Sequence, residues 1–216
     1  MPCLYTYPYA KSVVVCGDIH GDFIPLVYKM CVQYDMHDTL VVVAGDCGFG
    51  FEKPAHYEQV FRRIEKRLVK NNWIAMLRGN HDDPSYFFEK KINHQRFCTI
   101  PDYAIVEACG HHILCVGGAI SIDRSFRIEK MRRHPDKHYY WSNEAVRYDS
   151  TIVDEILQSG IQVDIVVTHT APSFCEFLSK AGLSEWAVRD SDLLQDCENE
   201  RQQMDNLLLH LRRNNH

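Results

Sequence analysis

Three short apolar runs, Val13–Cys16, Leu40–Ala44 and Trp73–Leu77, each end in a glycine-bearing polar turn, with stretches of helical spacing between them. Short continuous apolar runs bounded by turn signals read as buried strands. After the first turn Phe23, Ile24, Leu26, Val27, Met30, Cys31 and Tyr34 recur at helical intervals; after the second, Tyr57, Val60, Phe61, Ile64 and Leu68 do so. The pattern is β-α-β-α-β, and open α/β sheets build their sites at the carboxyl ends of the strands. The turns at those ends are Gly17-Asp18-Ile19-His20-Gly21, Gly45-Asp46-Cys47-Gly48-Phe49-Gly50 and Arg78-Gly79-Asn80-His81-Asp82-Asp83-Pro84.

The first turn introduces the chemistry. In an extended segment Asp18 and His20 share a face, so a carboxylate and an imidazole leave the strand end together. Such a pair either begins a divalent metal site or closes a hydrogen-bonded turn, and the stretch by itself fits both.

The second half is patterned differently. Ala104–Ala108 and His112–Val116 flank Cys109-Gly110-His111 as a hairpin, and Gly117-Gly118-Ala119 opens a long irregular stretch reaching Tyr139-Tyr140-Trp141. A helix is expected from about Glu144 to Ser159, stopped by Gly160. The strand Val163–Val167 then finishes in Thr168-His169-Thr170, a fourth strand end with an imidazole, and Ser191–Arg213 reads as a covering helix.

Composition narrows the functional classes. With 216 residues, the chain is long enough for one core and is read as a single domain, 1–216. A net charge of −5 gives no global attraction to nucleic acid or to an anionic membrane, so an anion site must draw its positive charge locally. No apolar stretch reaches membrane-spanning length, and Met1-Pro2-Cys3-Leu4-Tyr5 lacks the charged and apolar regions expected of a signal peptide. Nine scattered cysteines without a Cys-x-x-Cys suit reduced thiols in the cytoplasm.

Together the strand ends offer Asp18, His20, Asp46, Asn80, His81 and His169. Gly17-Asp18-Ile19-His20-Gly21, Gly45-Asp46-Cys47-Gly48, Gly79-Asn80-His81-Asp82 and Thr168-His169 resemble, in order and spacing, the signature blocks of the calcineurin-like metallophosphoesterases, in their bacterial or phage-type form. The resemblance implies an α/β fold, a four-layer α/β/β/α sandwich of two mixed sheets. It implies two divalent ions (Mn, Fe, Zn or Ni), with Asp18 and His20 on the first, Asn80 and His169 on the second, and Asp46 bridging. It implies a metal-bound water or hydroxide as nucleophile and His81 as the general acid. Asp82 joins His81 as a buttress of it or its loop, and Arg78 stands where Ser/Thr-phosphatase-like members carry a phosphate-gripping arginine.

The match has gaps. The Asp-Arg-Gly continuation of the protein phosphatases is missing after Gly45, and no Gly-His-x-His block occurs, so the domain is expected to lack its last strand or strands. The function expected is hydrolysis of a phosphomonoester or phosphodiester, on a small phosphorylated substrate such as a nucleotide. The alternative is a degenerate or truncated member acting as a binding or scaffold module.

Four further candidates stand beside blander readings. Arg124, after Asp123, either holds substrate phosphate or forms an ion pair. His111-His112 is a ligand pair or, with adjacent side chains on opposite faces, a hairpin surface. Tyr139-Tyr140-Trp141 with Arg132, Arg133 and Lys137 stacks a base or packs. Cys47 binds a soft metal or fills a core position.

Overall fold

The computed structural model describes residues 2–175 and 182–213. Its first strands are β1 (Leu4–Tyr7) and β2 (Ser12–Cys16), and α1 (Phe23–Tyr28) runs on into a π-helical turn, Lys29–Gln33. β3 (Thr39–Ala44), α2 (Pro54–Arg67), β4 (Trp73–Leu77), α3 (Ser85–Phe88) and β5 (Phe97–Thr99) complete the first half. The second half holds β6 (Ala104–Ala108), β7 (His111–Val116), α4 (Arg124–Arg133), α5 (Ser150–Gln158), β8 (Ile165–Thr168), α6 (Leu183–Ala187) and α7 (Leu193–Arg213).

Two sheets form. One has the order β2-β3-β4-β5 and is parallel throughout. The other has the order β1-β6-β7-β8 and is mixed, with β6 and β7 an antiparallel hairpin between parallel neighbours. So of the two sheets expected to be mixed, one is mixed and the other parallel.

Alternation along the strands sets the layers. Val41 and Val43 of β3 face α1 and α2, packing on Phe23, Val27, Phe61 and Ile64. Leu40 and Val42, pointing the other way, meet Ala104, Val106, Ile113 and Cys115 between the sheets. Ile105, Leu114 and Val116 face outward onto Val153 and Ile156 of α5 and Met204, Leu207 and Leu211 of α7. The result is the four-layer α/β/β/α sandwich. β2 is an edge strand whose Val15 is exposed, which corrects the expectation of a strand buried throughout.

Two boundaries differ from expectation for local reasons. The helix expected from Glu144 begins at Ser150, because the Asp149 carboxylate caps the N–H groups of Thr151 and Ile152. The stretch after Gly117, expected to be irregular, contains α4, whose charged sequence carries no apolar stripe to reveal it. Among the described residues no helix is long and apolar enough to cross a membrane.

Candidate metal centre

The carboxyl ends of four strands meet at one place. Asp18 and His20 follow β2, Asp46 follows β3, Asn80 and His81 follow β4, and His169 follows β8. Asp46 lies at the hub: its Oδ1 is 3.2 Å from His169 Nε2, and its Oδ2 is 3.8 Å from His20 Nε2 and 4.0 Å from His81 Nε2. Two groups of donor atoms share it, His20 with His81 and Asp18 with His169, each within a span of 4.8 Å.

What gathers Asp18 and His20 is a left-handed turn, which corrects the extended geometry expected of them. β2 has ended at Cys16, and Asp18, His20 and Asp46 have φ of 54°, 43° and 51°. Residues outside glycine enter this region only when the surroundings hold them there. Here main-chain bonds do so: Asp18 N–H donates to Gly45 O (3.2 Å), His20 N–H to Asp46 O (2.8 Å) and Gly21 N–H to Cys47 O (2.8 Å). Gly48 must be glycine for this docking, since a Cβ there would sit 2.4 Å from Gly21 N.

A second layer orients the donors. His169 Nδ1 lies 2.7 Å from Ala44 O and donates to it, so Nε2 turns its lone pair toward Asp46 Oδ1 and toward Asn80 Oδ1 at 3.1 Å. The Asn80 amide nitrogen donates to Ser121 Oγ (2.9 Å), which keeps the Asn80 oxygen inward, and Ser121 donates to Glu144 through both its N–H and its hydroxyl. Three acceptor atoms facing one another need a shared proton or a cation between them. Burial would lift Asp46, yet His169 and His81 draw it down to about 2. Burial would depress His169, yet Asp46 and the Ala44 carbonyl raise it above its ordinary value. Carboxylate, amide oxygen and imidazole form a donor set that fits a divalent transition metal.

Comparison with known proteins gives the family. A family model for calcineurin-like phosphoesterases matches residues 11–196. The chain belongs to that family. It is also similar to the serine/threonine-protein phosphatase 6 catalytic subunit of Caenorhabditis elegans, 28% identical over 150 residues. That match covers 60% of this chain and 44% of the phosphatase, so the chain spans less than half the length of that relative. No solved structure matches the chain.

Within this phosphoesterase framework several residues sit away from their expected places. Arg78 is 2% exposed and donates to Asp102 Oδ2 from Nε (3.0 Å) and Nη2 (2.8 Å), and to the carbonyls of Asn143, Glu144 and Ala145. All its N–H directions are taken, so it is a bolt between loops, and its phosphate-gripping role is corrected. Arg124 pairs with Asp190 (2.6 Å) and Asp196 (2.7 Å) at the start of α7, so the ion-pair alternative holds there. Asp82 is fully buried and touches the loops alone, accepting the N–H groups of Cys47, Gly48, Phe49 and Gly79. It buttresses the loop of His81 and stands outside the reacting group.

The remaining candidates resolve simply. Cys47 is buried, with its thiol pushed well up by burial and by Asp82 and Asp46, and it donates to Leu77 O. His111 and His112 begin β7, at the end of that strand remote from Gly117 and the site. Trp141 meets the exposed ring of Phe51 edge-on at 5.4 Å, and Lys130 lies over Tyr139 at 4.0 Å.

Sequence reasoning missed Arg127, Ser121 and Glu144. Arg127 lies on α4, one turn after Asp123, and its Nη2 donates to His81 Nε2. That contact occupies the His81 nitrogen facing the site, which favours a role for His81 other than ligand. The spacing from Asp123 to Arg127 was the available signal, because four residues share a helix face.

Glu144 carries a pH consequence. Burial lifts its carboxyl from the ordinary 4.5 to about 7, against the opposing pull of the Ser121 hydrogen bonds. A raised carboxyl favours the folded state while protonated, so its contribution is complete below about pH 4.5 and lost as pH climbs through 7. Denaturant unfolding is expected to weaken by about 2–4 kcal/mol between about pH 5 and pH 8 from this group. Glu144→Gln should flatten most of that fall. Equal slopes for the two proteins would remove Glu144 from the pH response.

Proposed function

We propose that this chain hydrolyses phosphate esters at a centre of two divalent ions, with a small phosphorylated molecule, nucleotides included, as substrate. The observation that carries the proposal is the pair of donor groups meeting at Asp46. The two groups pair Asp18 with His169 and His20 with His81, whereas the family pattern divides the ligands by loop: on that pattern Asp18 and His20 would hold one ion, Asn80 and His169 the other, and Asp46, common to both groups, would hold both. Bound there, Mn, Fe, Zn or Ni would supply the positive charge that polarises a phosphoryl group and activates water.

The chain's own side chains do the remainder. The Ala44 carbonyl fixes the His169 ring, and Ser121 fixes the Asn80 amide, so neither ligand has to reorganise on binding. His81, its side chain 30% exposed, has Nε2 4.0 Å from Asp46 Oδ2; released from the Arg127 hydrogen bond and protonated there, it can pass a proton to the leaving oxygen. The parallel ends of β2, β3 and β4 hold these groups on one rim. All nine cysteines are free thiols, which suits a reducing cytoplasm.

The test is hydrolysis of p-nitrophenyl phosphate and bis-p-nitrophenyl phosphate by the purified chain, loaded in turn with each of the four metals. Turnover is expected to vanish with chelator and to return on adding metal. Inactivity on both esters with every metal would leave the binding or scaffold role standing instead.

A further inference from the structure

We propose that Arg127 is the residue that holds the phosphoryl group. The proposal rests on the hydrolytic reading and extends it to a residue outside the metal ligands. In a chain of net charge −5, an anion site needs a local cation, and Arg78, Arg124 and Arg127 are the candidates by position after β4 and at α4. Arg78 is consumed by Asp102 and three carbonyls, and Arg124 by two carboxylates. Arg127 has one carboxylate partner, Asp123, which takes Nε at 2.6 Å.

Its Nη2 reaches the site. Nη2 donates to His81 Nε2, and Nη1 makes no hydrogen bond among the described residues. The edge carrying Nη1 and Nη2 therefore has an imidazole as its one partner among the described residues, and it lies beside the group that would protonate the leaving oxygen. A phosphoryl oxygen is a stronger partner for that edge than an imidazole nitrogen, because charge-assisted bonds are about twice as strong as neutral ones. With its side chain 10% exposed and Asp123 steadying it, the guanidinium keeps little freedom to lose on binding.

The surrounding loops explain why it is placed there. Gly118 N–H donates to Arg78 O (2.9 Å) and Ser121 is fixed by Glu144, so the segment leading into α4 is pinned over the rim. A Cβ on Gly118 would lie 2.7 Å from Arg78 Nη1, so the segment lies directly against that buried arginine. Arg78 thus supports the platform from which Arg127 reaches.

The test measures inorganic phosphate on the metal-loaded chain, by calorimetry and as an inhibitor of p-nitrophenyl phosphate hydrolysis. Arg127→Gln is expected to raise the phosphate Kd and the KM together by about 10- to 100-fold, with metal content unchanged. Arg127→Lys, which keeps a charge beside Asp123, is expected to raise them by about 3- to 10-fold at an unchanged Tm, and it decides the matter if the glutamine variant misfolds. Phosphate affinity within about twofold of the parent in the folded variants overturns the proposal. Arg127-dependent phosphate binding without turnover would uphold the anchor and sink the hydrolytic reading; turnover with unchanged phosphate affinity would do the reverse. A parent chain that neither binds phosphate nor hydrolyses esters would sink both.

Discussion

Asp46→Asn is expected to empty both metal positions and to lower p-nitrophenyl phosphate turnover by about 1000-fold or more. The two carboxylate oxygens do different work. Oδ1 accepts the His81 N–H at 2.9 Å and faces His169, while Oδ2 faces His20 and His81. An asparagine keeps the shape, and its single oxygen is drawn to the His81 N–H. Its NH2 group then occupies the place of Oδ2, presenting hydrogens where an anion had faced two imidazoles. Metal held at either donor group would lose the one negative charge common to the two. Elemental analysis of the purified variant, beside turnover at saturating metal, measures the effect. Metal content and turnover within about twofold of the parent would show that Asp46 does not join the two sites.

How far the sequence carries the reader depends on the kind of residue. β3 and β4 are legible because they lie in the middle of a parallel sheet between two cores, so Leu40–Ala44 and Trp73–Leu77 are apolar at every position. β1 and β5 escape notice: they are short and lie at sheet edges, where pattern is weak. The turns holding Asp18, Asp46 and Asn80 are legible as residue types at strand ends. Their geometry is not, since Asp18 and His20 meet in a left-handed turn imposed by the loop after β3.

The arginines mark the limit. Position along the chain says that Arg78 follows β4, but a side chain with four rotatable bonds can reach either way, and Asp102, 24 residues on, draws it inward. Arg127 has the opposite history. It lies among the charges of α4, a helix without an apolar stripe, and only the folding of the segment after Gly117 over the rim brings it to His81. Long-range partners of this kind are written in the tertiary fold. The positional signal alone picks Arg78 and Arg124, and the fold assigns both to ion pairs.

Asp82→Ala is expected to be the most damaging single change to stability, lowering it by about 3–6 kcal/mol and Tm by about 10–20 °C. Four buried N–H groups converge on this carboxylate: Gly48 at 2.7 Å and Phe49 at 2.9 Å on Oδ1, Gly79 at 2.8 Å and Cys47 at 3.0 Å on Oδ2. Each donor left without a partner away from water costs roughly 1–3 kcal/mol, and partial relaxation of the loops recovers some of the sum. Asparagine does not rescue the site. Whichever way its amide turns, an NH2 group faces two N–H donors, so Asp82→Asn should lose about 2–4 kcal/mol. The donors belong to the loops after β3 and β4, which also carry Asp46, Asn80 and His81, so the same variants should bind metal more weakly than their loss of stability accounts for. Circular dichroism melting with metal titration of the still-folded variant separates the two effects. A Tm shift below about 3 °C for Asp82→Ala would mean that water replaces the carboxylate in this buried knot, and the loops would then owe their register to the glycine contacts alone.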